Sequence, residues 1–429
     1  MIRRVARGFL GLVMAVVVGC GPQAVVPSRP PVSSAIATPS STASAARSGP
    51  PATATAPPPS TPKSGVWMVS AAAPMLRPRD GFRALVLGDG SILVAGDDVA
   101  CAPGPASPGS ETAERYDPVA DDWSIAASLN NPRKDFAMVP AADGGVMVIG
   151  GVNVADRPFS STKRFDLDAA VWFDGPLQRR AYGDPSAVTV ADGRIYVVGP
   201  TISDETSTTS TVEILAPGRD QWDDGGRIEG VAVRDIVRLD DGRLVALGWA
   251  FELPDQLYVH DSGGAEGWSP LADTGFDTIE RIVAIPDGGV LAFGWSYDQA
   301  TDRTSPLTVR RHDPAINRWV ETEPMAMPRF AAQIATLADG RVLVAGGLIG
   351  PRDHLTESEI ARTSEIYDPR SDAWTAGPDL LEIRMGGQAL TLPDGSVLVM
   401  GGVNLLNVEA ATPFCVEHLR SVERLMPAP

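Results

Sequence analysis

The chain has 429 residues, a formal net charge of −17, 44% hydrophobic residues, 43 glycines and 38 prolines. A chain this acidic is a poor partner for nucleic acid or for an anionic membrane surface. The glycine and proline content indicates many short elements joined by turns, and it argues against a bundle of long helices.

The first segment predicts export. Three arginines precede an apolar run at residues 9–18, the order found in a secretory signal peptide. That run is shorter than the roughly 20 apolar residues of a membrane-spanning helix, so we expect no transmembrane anchor. It ends in Val-Val-Gly-Cys20, which resembles the bacterial lipobox. By that resemblance residues 1–19 are removed as a signal peptide and Cys20 is lipidated, which would anchor the protein to the bacterial cell envelope. An ordinary signal peptide with an incidental Cys20 is the alternative.

Residues 20–64 follow as a linker. They contain eleven prolines after Cys20 and neither an acidic nor an aromatic residue. Such a stretch buries too little apolar surface to offset the entropy of ordering, so we expect a disordered tether. Residues 1–64 carry six basic residues and no acid, so the body at residues 65–429 is more acidic than the total charge suggests.

The body contains seven copies of one unit. Each copy has an Asp-Gly pair followed, after one residue, by four apolar residues and a glycine, at spacings of 46 to 55 residues. Asp-Gly between two apolar runs predicts a tight hairpin, because glycine reaches positive φ without steric cost. The pairs begin at Asp89, Asp143, Asp192, Asp241, Asp287, Asp339 and Asp394.

Each hairpin supplies strands A and B of a four-stranded unit. Strand C is predicted at segments such as Arg115-Tyr116-Asp117-Pro118, and strand D contains the tryptophan that follows it. The seventh hairpin has no tryptophan after it, whereas Trp67 has no hairpin before it. Both gaps close if the segment at Trp67 supplies the outer strand of the last unit.

These residues resemble the kelch repeat in the hairpin, the glycine pair after strand B, the Tyr-Asp-Pro segment and the tryptophan. The resemblance covers residues 65 to about 420 and implies an all-β fold, a seven-bladed kelch-type β-propeller closed by an N-terminal strand. Six blades with a separate terminal hairpin are the alternative.

Four arginines stand at one repeat position, ten residues before the hairpin aspartate. The equivalent residues of the third, fourth and fifth units are Tyr182, Val231 and Asp277, and the arginines are Arg79, Arg133, Arg329 and Arg384. We expect them on the face formed by the D-to-A and B-to-C connections. In several kelch domains the matching arginines line a ligand pocket, so the resemblance implies ligand binding; bracing of neighbouring blades is the alternative.

No catalytic set is apparent in the sequence. The kelch-like fold includes the copper enzyme galactose oxidase, whose metal needs His and Tyr ligands. Here most tyrosines fall in strand positions, and the two that do not, Tyr182 and Tyr297, lack neighbouring histidines. His260 and His312 take the strand C position of Tyr and are expected to pack. We therefore expect no metal and no cofactor.

Two classes of function follow. The first is a non-enzymatic, monomeric module displayed on the envelope that binds a glycan, peptide or protein, contacts the membrane only through its lipid and binds no nucleic acid. The second is a kelch-fold enzyme, mutarotase-like or oxidase-like, acting on a sugar or related metabolite. Convergence of at least two titratable groups on an axial cavity would favour the enzyme.

The two remaining cysteines are expected to pair. Export places the body where disulfides persist. Cys101 lies in the B-to-C connection of the first unit and Cys415 in that of the seventh, which are neighbours in a closed ring.

Overall fold

The computed structural model describes residues 67–427 except 80, 97–110, 154, 203–207, 251–252, 262–266, 299–302, 350–358 and 405–416. Within these residues the regular structure is β-strand, apart from one 3₁₀ turn at Pro286–Gly288. The same residues include no helix long and apolar enough to cross a membrane. The predicted signal peptide, Cys20 and the whole predicted linker lie outside the described residues, as do Cys101 and Cys415.

The strands follow the predicted order along the chain. Strand β1 (Met68–Ala72) comes first. Sheet 1 contains β2 (Arg83–Val86), β3 (Ile92–Ala95), β4 (Ala113–Asp117) and β5 (Asp122–Ala126). Sheet 2 contains β6 (Ala137–Pro140), β7 (Val146–Ile149), β8 (Thr162–Asp166) and β9 (Val171–Asp174). Sheet 3 contains β10 (Ser186–Thr189), β11 (Ile195–Ile202), β12 (Thr208–Leu215) and β13 (Asp223–Glu229).

The later sheets repeat this pattern with insertions. Sheet 4 contains β14 (Ala232–Arg238), β15 (Leu244–Trp249), β16 (Gln256–His260) and β17 (Trp268–Pro270). Sheet 5 begins with β18 (Thr278–Ile285) and β19 (Gly289–Trp295); after the small pair β20 (Tyr297–Asp298) and β21 (Arg303–Thr304) it resumes with β22 (Thr308–Asp313) and β23 (Arg318–Glu321).

The last two units add small sheets of their own. A three-stranded sheet joins β24 (Arg329–Phe330), β27 (Leu348–Ile349) and β28 (Glu359–Ile360). Sheet 6 contains β25 (Gln333–Thr336), β26 (Val342–Ala345), β29 (Ser364–Asp368) and β30 (Ala373–Ala376). The chain ends with β31 (Gln388–Thr391), β32 (Val397–Met400), the small pair β33 (Val403–Asn404) and β34 (Glu417–His418), and β35 (Val422–Met426).

Seven sheets of the described residues have four antiparallel strands. The seventh, sheet 7, is built from both ends of the body, in the order β31, β32, β35, β1. Met68 lies opposite Met426 and Ala72 opposite Val422. Strand β1 therefore completes the sheet that the last hairpin begins.

The Asp-Gly hairpins use glycine at positive φ, as predicted. In sheet 1 the Gly90 N–H donates to the Leu87 carbonyl at 2.9 Å, and φ of Gly90 is 83°, a value that a residue with a Cβ adopts only with strain. Sheet 5 differs, because Asp287 itself has φ 74°. Its hairpin is the 3₁₀ turn at Pro286–Gly288.

The hydrophobic core lies between neighbouring sheets. Strand B is completely buried in sheets 1, 2, 6 and 7. One cluster joins Ile92, Val94 and Tyr116 of sheet 1 to Leu398 and Met400 of sheet 7, and similar clusters lie between the successive sheets along the chain. The first strands also contact one another in sequence, and β31 contacts β2. This all-β arrangement is consistent with a β-propeller.

The antiparallel order gives the molecule two ends. We call the end that carries the D-to-A and B-to-C connections the loop face, and the end that carries the A-to-B hairpins and C-to-D turns the turn face. The Arg424 guanidinium of sheet 7 donates to the Pro118 carbonyl of sheet 1 at 3.0 Å on the turn face. The Gln388 amide donates to the Phe82 carbonyl at 3.3 Å on the loop face, so polar contacts join sheets 7 and 1 at both ends.

Candidate functional site

The four arginines of the repeat position are buried beneath the loop face. Their exposed fractions are at most 2%. The Nη1 of Arg133, Arg329 and Arg384 donates to the carbonyl of the glycine that ends strand B, at 3.0 to 3.1 Å, and Arg79 makes the same contact with Gly96. Each guanidinium thus ties a D-to-A connection to the end of strand B in its own sheet.

Three of these arginines also pair with a buried glutamate on strand C. Arg79 Nη2 lies 2.7 Å from Glu114, Arg329 Nη2 3.0 Å from Glu365, and Arg384 Nη2 2.7 Å from Glu423. We call each such pair a brace. The glutamates were not predicted from the sequence. Each glutamate lies two residues before the Tyr or Leu of strand C. An alignment of the repeats at strand C would therefore have identified these glutamates as a shared feature.

The glutamate of each brace also holds the backbone of the connection above it. Leu76 N–H donates to Glu114 at 2.7 Å, Met327 N–H to Glu365 at 3.0 Å, and Leu381 N–H to Glu423 at 2.5 Å. One carboxylate therefore accepts from a guanidinium and from a loop amide. This arrangement fixes the loop because the buried charge is costly to leave unpaired.

Sheet 2 lacks this glutamate. Lys163 stands at its position and pairs with Asp174 at 2.6 Å, so Arg133 bonds only to neutral groups, Gly150 O, Ser161 O and Ser161 Oγ. The Phe159 ring lies 4.5 Å from the Arg133 guanidinium carbon. Burial without a carboxylate partner lowers the pKa of Arg133 to about 10.

Sheets 3 and 5 brace their loops with other residues. In sheet 3 the Tyr182 hydroxyl donates to Glu213 at 3.0 Å, and burial raises the pKa of that hydroxyl. In sheet 5 strand C supplies the donor and the loop supplies the acceptor, since Arg310 of strand C donates to the Thr274 carbonyl of the loop. The geometry of all these contacts favours the bracing alternative for the arginine position. A ligand that contacted Arg79, Arg133, Arg329 or Arg384 would have to displace bonds within the chain.

The braces support exposed apolar side chains. Leu76, Met327 and Leu381 have exposed fractions of 45%, 40% and 49%, although their own N–H groups are bonded to buried glutamates. They come from the connections that lead into sheets 1, 6 and 7. We call these three residues the apolar arc. Apolar side chains held on rigid loops are suited to partner contact, since little entropy is lost on binding.

Three charged residues lie at the loop-face ends of neighbouring first strands. Asp135 and Asp184 each lie two residues before a first strand, β6 or β10, and Arg83 begins β2. Burial raises the pKa of both carboxyls, and each carboxylate lies close enough to Arg83 for the guanidinium to oppose that rise. We call these three residues the axial charged group.

A recess lies on the turn face between sheets 1 and 7. It has a volume of about 650 Å³. Its walls include two ion pairs, Asp89 with Arg115 and Asp394 with Arg424. Each guanidinium has a carboxylate partner, and the Asp117 carboxylate in the lining accepts the N–H groups of Val119 and Ala120, so none of the described cations of this recess lacks an ion pair.

The strand C ring position has a packing and hydrogen-bonding role. Tyr116 and Tyr367 donate to Asp121 and Asp372 at 2.6 and 2.8 Å, and buried His312 contacts Asn317 at 2.9 Å in the same way. His260 stacks on Trp268. Within the described ranges, no three His, Cys, Asp or Glu residues are grouped so that they could hold a metal ion.

Comparisons with known proteins agree with this architecture. No protein-family model matches the chain. Kelch-like protein 15 of Danio rerio is 33% identical over 107 residues, 25% of this chain and 17% of the relative. An F-box/kelch-repeat protein of Arabidopsis thaliana is 31% identical over 133 residues, 30% and 34% of the two chains. Kelch-like protein 36 of Rattus norvegicus is 22% identical over 324 residues, 74% and 43%. The chain spans less than half the length of these relatives.

A solved structure gives the same fold at low identity. It is described as a novel fungal alcohol oxidase of the AA5 family in complex with copper, and it matches with a TM-score of 0.59 and 15% identity over 85% of this chain and 76% of that chain. The chain is therefore similar to kelch-repeat proteins in sequence. At this identity the solved structure speaks for the fold alone.

Proposed function

We propose that this protein is a non-enzymatic interaction module that binds a protein partner on its loop face. The observation that carries the proposal is the apolar arc, whose three exposed side chains stand on loops fixed by buried braces. Kelch-like relatives support a protein-interaction role. In this proposal the braced arginines do not contact the partner; they fix the loops that carry the apolar arc. Recognition of a glycan or of a free peptide stays a prediction from the sequence.

The proposal includes a ring of seven blades. The seven four-stranded sheets, the core clusters between them and the contact of β31 with β2 support a closed ring. Closure by strand β1 brings the connections into sheets 6, 7 and 1 side by side. The three residues of the apolar arc then lie on three neighbouring sheets, on both sides of the seam.

The proposal also includes export and a lipid anchor at Cys20. Met68 pairs with Met426 at the end of sheet 7 where other sheets carry the C-to-D turn. The linker therefore leaves the body at the turn face. A tether attached there would direct the loop face, with its apolar arc, away from the membrane.

Site-specific crosslinking tests the partner surface. The full chain is produced with its export signal in a bacterial host, with a photoreactive amino acid at position 76, 327 or 381. Controls carry it at Val119 or Ile316, which are 94% and 60% exposed in C-to-D turns of the turn face. We expect a discrete crosslinked protein from the arc positions and none from the controls. Equal capture at both ends, or capture that survives Leu76→Ser together with Leu381→Ser, would contradict the proposal.

The second candidate is a kelch-fold enzyme acting on a sugar or related metabolite. It is favoured by the axial charged group, in which two carboxyls with raised pKa and one guanidinium lie at the ends of neighbouring first strands. Turnover of a sugar panel by the full-length protein, lost in the Asp135→Asn and Asp184→Asn double variant, would replace the binding proposal with this one.

A further inference from the structure

Arg133 of sheet 2 lies in the same pose as the arginines of the braces. Like Arg79 and Arg384, it donates through Nη1 to the glycine that ends strand B, and through Nη2 to a hydroxyl just before strand C. The distance from Nη2 to that hydroxyl is 3.1 Å in sheet 2, 3.0 Å in sheet 1 and 2.9 Å in sheet 7. The other braces therefore show where a carboxylate partner of Arg133 would lie.

That carboxylate is missing in sheet 2. In sheets 1 and 7 the arginine Nη2 also donates to the brace glutamate at 2.7 Å. Lys163 takes the glutamate position in sheet 2, and its ammonium group lies 2.6 Å from Asp174. Among the described residues, Arg133 Nη2 bonds only to Ser161 Oγ, and buried Arg133 Nε has no partner. Arg133 thus keeps donor capacity that its counterparts use on a carboxylate.

The connection into sheet 2 lacks the same acceptor. In sheets 1 and 7 the residue three positions before the arginine donates its N–H to the brace glutamate. In sheet 2 that residue is Asn130, which has φ 60° and donates to Ser128 Oγ of its own turn at 3.2 Å. Within the described part of the chain the next N–H, that of Asn131, has no acceptor. A guanidinium and a loop amide that share one carboxylate in other sheets therefore both lack it here.

The charges of this region leave one positive charge in excess. Arg133 and Lys163 have exposed fractions of 0% and 6%, and the side chain of Asp174, the partner of Lys163, is 85% exposed. Each brace instead balances one buried guanidinium with one buried carboxylate. A buried charge without a counterion is costly, and the lowered pKa of Arg133 agrees with that cost. The excess charge and the unused donors together indicate an anion.

We propose that sheet 2 binds a small monovalent inorganic anion, such as chloride, where the braces have a glutamate carboxylate. The anion accepts hydrogen bonds from the Arg133 guanidinium and the Asn131 N–H, the two kinds of donor that a brace glutamate binds. Because Arg133 is shielded from solvent, the ion enters by displacing the turn at residues 128–131, which no carboxylate fastens. The site contains no residue of the apolar arc and does not depend on the proposed partner.

Unfolding of the full-length protein in urea tests the site. The sodium concentration is held constant while chloride is exchanged for gluconate, an anion too large for a site that replaces one carboxylate group. We expect the unfolding equilibrium constant to fall by about tenfold for each tenfold rise in chloride above the dissociation constant. Arg133→Met should lose this dependence. Arg219→Met, which removes an exposed arginine, should keep it.

A restored brace is the sharper variant. Lys163→Glu supplies the missing carboxylate, and Asp174→Asn in the same protein avoids two carboxylates in the cross-strand pair of positions 163 and 174. This double variant should unfold independently of chloride, and in gluconate it should unfold at higher urea than the unmodified protein. If the double variant keeps the chloride dependence, or if the unmodified protein shows none, the inference is overturned.

Bromide locates the ion directly. Anomalous scattering from crystals of the unmodified protein soaked in bromide should show an ion in contact with Arg133, and crystals of the restored-brace variant should show none there. Bromide found only elsewhere on the molecule would be an adventitious ion only and would overturn the inference. The crosslinking test of the proposed function uses other residues, so either proposal can fail while the other stands.

Discussion

At the scale of single residues, comparison of the repeats identifies side chains whose chemistry differs from that of their counterparts in other sheets. Met75, Leu129 and Leu380 occupy one repeat position. Each donates its N–H to the carbonyl of the residue two positions before strand C, and each side chain is buried at 0% exposure. Gln178 takes this position in sheet 2, with its N–H on Ser160 O at 2.8 Å. Among the residues that the structure describes, neither atom of its buried side-chain amide has a hydrogen-bond partner.

We therefore expect Gln178→Leu to stabilise the protein. A buried amide without partners costs about 1–3 kcal/mol, and leucine already fits the same position in two other sheets. The free energy of unfolding, measured in urea at neutral pH, should rise by about that amount. Gln221→Leu, at an exposed site, is the control and should give no gain. A loss of stability in Gln178→Leu would mean that water or a ligand group occupies the amide site.

At the scale of elements, the sequence located the hairpins and the arginines but could not assign the arginine role. Counting back from Asp-Gly gives the same repeat position in every unit, since turn and strand lengths are fixed by local chemistry. The glutamate partners of Arg79, Arg329 and Arg384 lie more than thirty residues further on, in strand C. Each glutamate becomes a neighbour of its arginine only when strands B and C pair. Composition and spacing therefore could not decide whether the arginines bind a ligand or brace the loops.

A comparison of two arginines tests the brace. Arg329→Met leaves Glu365 buried without its guanidinium, so we expect a loss of about 3–5 kcal/mol. Arg133→Met, the matched control in sheet 2, orphans no glutamate and relieves the desolvation of an unpaired guanidinium. Its cost should be clearly smaller. Equal losses in urea unfolding would show that carbonyl bonding, common to both arginines, dominates over the ion pair.

At the scale of the whole molecule, the repeat predicted the sheets better than it predicted their irregularities. The strands of sheets 1, 2, 6 and 7 follow the sequence pattern closely. In sheets 4 and 5 the glycine pair is replaced by Gly-Trp, strand B runs on to Trp249 and Trp295, and the first strands carry bulges after Val233 and Ile279. These bulges place Arg234 against Asp255 and Glu280 against the Ala331 N–H, contacts between distant residues that no local pattern records.

The seam between sheets 1 and 7 is where the molecule depends on contacts between its two ends. The described contacts there are noncovalent, including the pairing of β1 with β35 and the bond from Met75 N–H to Arg420 O at 2.8 Å. Cys101 and Cys415 follow the second strands of these two sheets. Both cysteines lie outside the described residues, so their pairing stays a prediction.

We expect the exported protein to contain a Cys101–Cys415 disulfide that fastens this seam. Closing so long a loop removes unfolded-state entropy worth on the order of 4–5 kcal/mol in the chain-entropy model, less any strain in the folded bond. Alkylation of the exported protein without prior reduction, followed by mass spectrometry, should leave both thiols unmodified, and reduction should make both reactive. The Cys101→Ser and Cys415→Ser double variant should unfold at lower urea than the unmodified protein, whereas after reduction the two should unfold alike. If both thiols react before reduction, the disulfide does not exist, and strand pairing with β1 and the polar contacts at both ends must hold the seam by themselves.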